Sequence, residues 1–249
     1  MSQVKVAVHD LHKEFRLSHS GASSLKTALL WWRRRRVETL KVLNGVDFEL
    51  HQGESIAIVG RNGAGKSTLL SILARVYKPT SGSISVNGRL APLLELGAGF
   101  HPDLTGIENI FFNGVILGLT RAEIQSRMDP IIAFSELETH IDAPVRTYSS
   151  GMLARLGFAI AVHVDAEILL VDEVLAVGDF QFEQKCYARI DEFQKQGGSI
   201  LFVSHQMDAV KRVADRCLWL SRGKIVDEGD PETIIARYGQ GETAPQEEL

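Results

Sequence analysis

Polar and apolar residues alternate in some stretches of the chain and return every three to four positions in others, and these two periods divide it into elements. Residues 4 to 8 alternate as a strand does, and Leu43 to Leu50 predicts a second one that turns at His51-Gln52-Gly53-Glu54. The turn leads into Ser55-Ile56-Ala57-Ile58-Val59, a short apolar run suited to a strand buried on both faces. Thr68 to Leu73 is helix-like, and residues 83 to 90 predict a hairpin arm with Asn87-Gly88 as its turn. From Gly106 to about Val164 the spacing is helical, with Thr120-Arg121-Ala122-Glu123 as a capping box and Met152 to Val164 as an apolar helix. Beyond it, the strand-like runs Ile168 to Val171 and Ser199 to Val203 alternate with helical segments over 181–195 and 206–214.

Strands alternating with helices imply an α/β fold with a parallel sheet covered on both faces. We expect one domain over residues 1–249: an α/β core with an antiparallel β edge from 1–105 and 165–240, a helical subdomain inserted at 106–164, and a disordered acidic tail at 241–249. The chain contains no internal repeat. With 27 Lys and Arg against 31 Asp and Glu, the net charge of −4 argues against nucleic acid as the main partner. Cys186 and Cys217 lie far apart and outside any CxxC pattern, which predicts buried thiols in a reducing compartment. No basic-then-apolar leader opens the sequence, and no apolar run approaches the roughly 20 residues of a spanning helix. The expected location is the cytosol, with docking on a membrane protein left open.

The chemistry begins at Gly60-Arg61-Asn62-Gly63-Ala64-Gly65-Lys66-Ser67, which fits GxxxxGK[ST] between a strand and a helix, the context in which this pattern binds phosphate. Glycines let several backbone N–H groups converge on the β- and γ-phosphates, and the helix behind them adds the positive end of its dipole. The candidate phosphate-binding residues are Gly60, Asn62, Gly63, Ala64, Gly65, Lys66, Ser67 and Thr68. Lys66 supplies a full charge, and the Ser67 hydroxyl is the expected inner ligand of Mg²⁺.

Ile168 to Val171 leads into Asp172-Glu173, two carboxylates at the end of a buried strand. Beside a phosphate loop, Asp172 is placed to hold Mg²⁺ and Glu173 to orient and deprotonate a water. The strand ending at Val203 is followed by Ser204-His205, whose imidazole could reach the γ-phosphate and hold the water or Glu173 in place. Tyr148-Ser149-Ser150-Gly151-Met152, ahead of the apolar helix, reads on its own as a serine N-cap beside a glycine.

Taken in order, these segments resemble the motif set of ATP-binding-cassette ATPases: Walker A, signature, Walker B, D-loop and switch histidine. The resemblance spans essentially the whole chain and implies a RecA-like P-loop core with ATP and Mg²⁺. The signature is a variant of LSGGQ in which Ser149 and Gly151 remain, and these are expected to touch the γ-phosphate held by another subunit. Ala176-Val177-Gly178-Asp179 matches the D-loop, which makes Asp179 a candidate interface contact. The family's Gln next to the metal has no counterpart in residues 94–102, where Glu95 is the nearby oxygen donor before His101. That stretch, the variant signature and Ala-Val-Gly-Asp-Phe-Gln-Phe resemble the Wzt-type ATPases of polysaccharide export and their capsule and teichoic acid relatives.

The resemblance implies two copies arranged head to tail, a separate membrane permease, and an undecaprenyl-diphosphate-linked polysaccharide such as O-antigen as cargo. It places the chain on the cytoplasmic face of the inner membrane. Larger members carry a further C-terminal carbohydrate-binding domain, and the expectation here is none. Rival readings are a transporter of drugs or nutrients, or a soluble ATPase acting on ribosomes or DNA; the paired cassettes and long coiled coils of the latter do not appear. Trp31-Trp32-Arg33-Arg34-Arg35-Arg36 fits either a solvated face or an interfacial helix against anionic headgroups. The adenine-stacking aromatic is expected to be Phe15, with Trp32 as the second choice.

Overall fold

The structure is a computed structural model that describes residues 3–18, 37–94, 99–172 and 178–243. Two long strands, β1 (Val4–Ser18) and β2 (Val37–His51), pair antiparallel, and β4 (Ser81–Val86) adds to the other edge of β1. Strand β1 runs past the five residues that alternate cleanly in sequence. Its period breaks where the register slips between Val8 and Leu11, beside Asp10 at a φ of 44°. The bulge lets one strand continue with a changed twist, a device that simple alternation does not reveal.

The second sheet is the core of the molecule. Its order is β5 (Leu90–Leu93), β6 (Ile168–Asp172), β7 (Ser199–Val203), β3 (Ser55–Val59), β8 (Arg216–Ser221) and β9 (Lys224–Gly229), all parallel except the last pair. Strands β3 and β7 are buried at every residue, as their unbroken apolar runs require. Helix α1 (Lys66–Leu73) lies between the two sheets, sending Leu69, Leu70 and Leu73 into a cluster with Val6, Leu50 and Ile58. The opposite face is covered by α5 (Phe180–Lys195), α6 (Met207–Val213) and α7 (Pro231–Thr243), through Phe182, Val210 and Ile234.

Between β5 and β6 the chain builds a helical layer of α2 (Gly106–Ile116), α3 (Arg121–Ser135), a 3₁₀ turn (Val145–Thr147) and α4 (Ser150–Val162). Thr105 and Thr120 cap α2 and α3 with reciprocal Glu108 and Glu123 contacts, so the predicted box at Thr120 is present and a second one precedes it. Helix α4 is apolar on two sides for a reason: Leu156, Ala159 and Ile160 pack into the helical layer, while Phe158, Ala161 and Val162 pack on the sheet.

Two expectations are corrected. Residues 83–90 are not a hairpin arm, because β4 pairs with β1 whereas β5 runs parallel to β6 in the other sheet. Asn87 instead donates its N–H to Lys5 and Arg89 donates to the Glu167 carboxylate, so the Asn-Gly pair marks a crossover between sheets. The tail also begins later than Gly241, since α7 continues to Thr243. Residues 244–249 lie outside the described residues.

Candidate functional site

Adjacent strands β6, β7 and β3 end at the same edge of the sheet and carry Asp172, Ser204-His205 and Gly60 respectively. This is the carboxyl edge of a parallel sheet, where such folds bind ligands. Between β3 and α1 the loop is pressed against its neighbours. A Cβ at Gly60 would stand 2.1 Å from the Leu220 carbonyl oxygen, and one at Gly65 would stand 2.8 Å from Leu43 and 2.9 Å from the Val42 carbonyl. Gly65 also holds a φ of 109° as the residue on which α1 opens, so only glycine satisfies both demands.

Asn62, Gly63, Gly65, Lys66, Ser67, Thr68, Asp172 and His205 line one cavity of about 550 Å³. Lys66 is buried, and its Nζ donates to the carbonyls of Gly60 at 2.6 Å and Arg61 at 3.1 Å. These oxygens hold the ammonium at the cavity wall rather than in solvent. Gly60 thus contributes its carbonyl, while Ala64 is buried under the loop with its N–H donated to Arg61 and its carbonyl accepting from Gly223.

Ser67 and Asp172 offer a hydroxyl and a carboxylate to the same space, the hard oxygen donors that suit Mg²⁺. No group of three His, Cys, Asp or Glu that could hold a metal exists among the described residues. That donor set fits an ion held by one or two protein oxygens and completed by phosphates. Glu95 and Glu173 lie outside the described residues, as do Trp31, Trp32 and Arg33 to Arg36.

Leu40, Val42 and Leu94 complete the wall. Sequence reasoning missed Leu40 and Val42 because β2 contributes them from a stretch without a motif, whereas Leu94 follows β5 and opens the 94–102 stretch singled out above. Phe15 does not line the cavity; its ring meets Tyr77 edge-on at 5.4 Å, with the Lys13 ammonium 4.8 Å from its centroid. It is nevertheless the cross-strand partner of Leu40.

Ser149 and Gly151 also lie outside the cavity. Ser149 is the exposed N-cap of α4 and accepts the Met152 N–H at 3.2 Å, as its place in the sequence predicted. Tyr148, which stands for the leucine of the usual signature, is buried, and its hydroxyl donates to the His140 carbonyl at 2.7 Å. Burial raises its pKa, so the phenol stays protonated and the contact survives across the physiological range. Asp179 caps α5, one oxygen accepting the Phe182 N–H at 3.0 Å and the other meeting Arg155 at 2.7 Å. The amide first and then the guanidinium lower its pKa. Cys186 and Cys217 are buried free thiols pushed up to about 12 by desolvation, which leaves them unreactive.

Comparison with known proteins agrees with this geometry. The family described as ABC transporter matches residues 43–176. The O-antigen export system ATP-binding protein RfbB of Klebsiella pneumoniae is 49% identical over 233 residues, covering 92% of this chain and 94% of that protein. The RfbB protein of Myxococcus xanthus is 46% identical over 240 residues, and there the chain spans 94% of its own length but 55% of the relative's. A dimeric ATP-binding cassette in a post-hydrolysis state, bound to ADP and phosphate, superposes with a TM-score of 0.74 at 19% identity over 91% of this chain and 98% of the other, a likeness of fold. No helix among the described residues is long and apolar enough to cross a membrane. The chain belongs to the ABC transporter family: it is an ABC-type ATPase domain with a RecA-like P-loop core and a helical subdomain, related to the ATP-binding subunits of O-antigen export systems.

Proposed function

We propose that two copies of this chain form the ATP-driven motor of an exporter for a lipid-linked polysaccharide, docked on a separate membrane permease at the cytoplasmic face of the inner membrane. One observation carries the two-copy reading: Lys66, Ser67, Asp172 and His205 share a cavity that Ser149 and Gly151 do not line, so a γ-phosphate in it can meet a signature only from another copy. The solved cassette matched above is dimeric, which supports the same arrangement.

In this reading the backbone N–H groups of Asn62, Gly63, Gly65 and Lys66 cradle the phosphates, and the base lies along Leu40 and Val42 with Phe15 at the outer rim. Ser67 and Asp172 would hold Mg²⁺, which would supply charge neutralisation to the phosphates. Glu173 takes the proton of the attacking water, the new bond forms to the γ-phosphorus, and the bond to the β–γ bridging oxygen breaks to give ADP and phosphate. His205 steadies the water. Ser149 and Gly151 of the second copy stabilise charge on the γ-phosphoryl oxygens.

The permease contact is supported by an apolar groove of about 510 Å³ lined by Val76, Tyr77, Phe100, Ile116 and Leu117, flanked by exposed Phe112 and Val115. Ser67 and Asp172 also line it, so a permease segment seated there would adjoin the proposed metal ligands. The polysaccharide cargo rests on the O-antigen export systems to which the chain is related.

The test is Glu173→Gln. We expect retained ATP affinity, turnover reduced by two orders of magnitude or more, and a dimer that accumulates with ATP in size-exclusion chromatography. Unchanged hydrolysis with only monomer overturns the reading. Loss of surface polysaccharide in cells carrying this variant, with small-molecule efflux intact, distinguishes the cargo from drugs or nutrients.

A further inference from the structure

Arg155 lies on α4, four residues beyond Gly151 and about 6 Å along the helix axis from it, and is not part of any phosphate-binding set. Its guanidinium joins three elements. One nitrogen donates to Glu136 at 2.9 Å, another to Asp179 at 2.7 Å, and the guanidinium carbon stands 4.8 Å from the centroid of Phe182. Glu136 ends α3 in the left-handed region at a φ of 58°, and its second oxygen is taken by Lys185 of α5 at 3.0 Å. Two cations, Arg155 and Lys185, thus converge on the residue that closes α3.

The side chain of Arg155 is only 19% exposed, although its carboxylate partners Glu136 and Asp179 are 48% and 63% exposed, so its packing on Phe182 holds it in place as much as the charges do. Gly178 packs directly on it: a Cβ there would stand 3.0 Å from Nε. The turn at Gly178–Asp179, which leads into α5, is therefore built against a side chain of the helix that Ser149 caps.

We propose that Arg155 is a positioning residue that locks the signature end of α4 to the Gly178–Asp179 turn, so that a nucleotide engaging Ser149 and Gly151 from the second copy also sets the geometry of the hydrolytic edge beyond Asp172. The inference rests on the two-copy reading above. A bidentate, planar guanidinium is required because Glu136 and Asp179 are met at once with a ring face beneath; an ammonium reaches one carboxylate as a point charge.

The full chain is tested as Arg155→Met, Arg155→Lys, Asp179→Asn and the double variant Arg155→Met/Asp179→Asn. Asparagine keeps the cap on Phe182 while removing the charge. Because nucleotide binding to one copy rests on the P-loop, we expect ATP affinity within twofold of wild type in every variant, while kcat falls at least tenfold in Arg155→Met and Asp179→Asn. Arg155→Lys should recover part of the loss, and the double variant should be no slower than the worse single one.

A kcat that follows only the folded fraction, or losses that multiply in the double variant, would overturn the coupling. If Arg155→Met does not fold, Asp179→Asn alone decides, since its cap is intact. The Glu173→Gln background separates the two readings. No ATP-dependent dimer in Glu173→Gln itself sinks the two-copy motor; a dimer there, with wild-type kcat in Asp179→Asn, sinks the role of Arg155.

Discussion

Asn109 provides a measurement of how the segment that enters the helical subdomain is held. Its side chain is fully buried in α2, where its oxygen accepts the His101 N–H at 2.8 Å and its amide faces the carbonyls of His101 at 3.2 Å, Leu104 at 3.1 Å and Thr105 at 2.9 Å. A donor on one side and three acceptors on the other leave one orientation for the amide. Two amide hydrogens serve three carbonyls, so Asn109→Ala removes about three bonds' worth of pairing, at about 0.5–1.5 kcal/mol net each. The 101–105 segment is largely exposed and water can reach part of what is freed, which puts the cost at about 2–3 kcal/mol. For a domain of this size that lowers Tm by about 4–12 °C. Asn109→Asp sharpens the test, because its carboxylate would face the same three carbonyls and is tolerated only when protonated. Thermal melts followed by circular dichroism at pH 5 and pH 8 should therefore show the alanine variant equally destabilised at both, and the aspartate variant worse than alanine at pH 8 with partial recovery at pH 5. An aspartate variant as stable as wild type at pH 8 would refute the account.

Three further outcomes follow from the structure. Lys66→Ala should weaken nucleotide binding and export together, since it removes the charge that Gly60 and Arg61 hold at the cavity wall; titration with a fluorescent ATP analogue that returned wild-type affinity would remove Lys66 from the site. His163 is half-buried against Phe134 with Nδ1 donating to the Ala159 carbonyl at 2.7 Å, and desolvation lowers its pKa from 6.5. Its contribution to stability is full above pH 6.5 and is lost as pH falls toward the folded value, because the unfolded chain then binds the proton more readily; His163→Gln should flatten the dependence of Tm on pH below 6.5 without altering it above. Lys5, nearly buried, meets Glu167 at 2.7 Å across the two sheets. Glu167→Ala should cost more Tm than Lys5→Met, since only the former strands a buried ammonium without its partner; the reverse order in parallel melts would deny the pair that role.

Legibility in the sequence divides according to how many segments supply a feature. The phosphate loop was readable because strand, glycines, Lys66 and Ser67 are contiguous, and the chemistry demands them in that order. Strands β3, β6 and β7 were readable for a related reason: a strand buried on both faces must be apolar throughout, so burial is written locally. Asn87-Gly88 misled because the same dipeptide permits a tight turn within a sheet and a crossover between two; which one occurs depends on β6, about 80 residues away. The Leu40 and Val42 wall, the Asn109 hub and the Arg155 bridge left no signal because each is a neutral residue choice until distant chain is folded against it. The strands β8 and β9 and helix α7 escaped for the same reason, their patterns being half-buried rather than continuous.

The same division bears on how the site and the groove are joined. Ser67 and Asp172 line both the nucleotide cavity and the apolar groove, one from the start of α1 and the other from the end of β6. In the proposed reading, a shift of either residue toward a metal-bound phosphate would change the wall of the groove, and an occupant pressing on that wall would bear on the two residues proposed to hold the metal. An interior packed as densely as a crystal transmits such a displacement rather than absorbing it. The motor proposed above would need such a shared wall, and Ser67 and Asp172, which the sequence offers as metal ligands, form it together with Leu94.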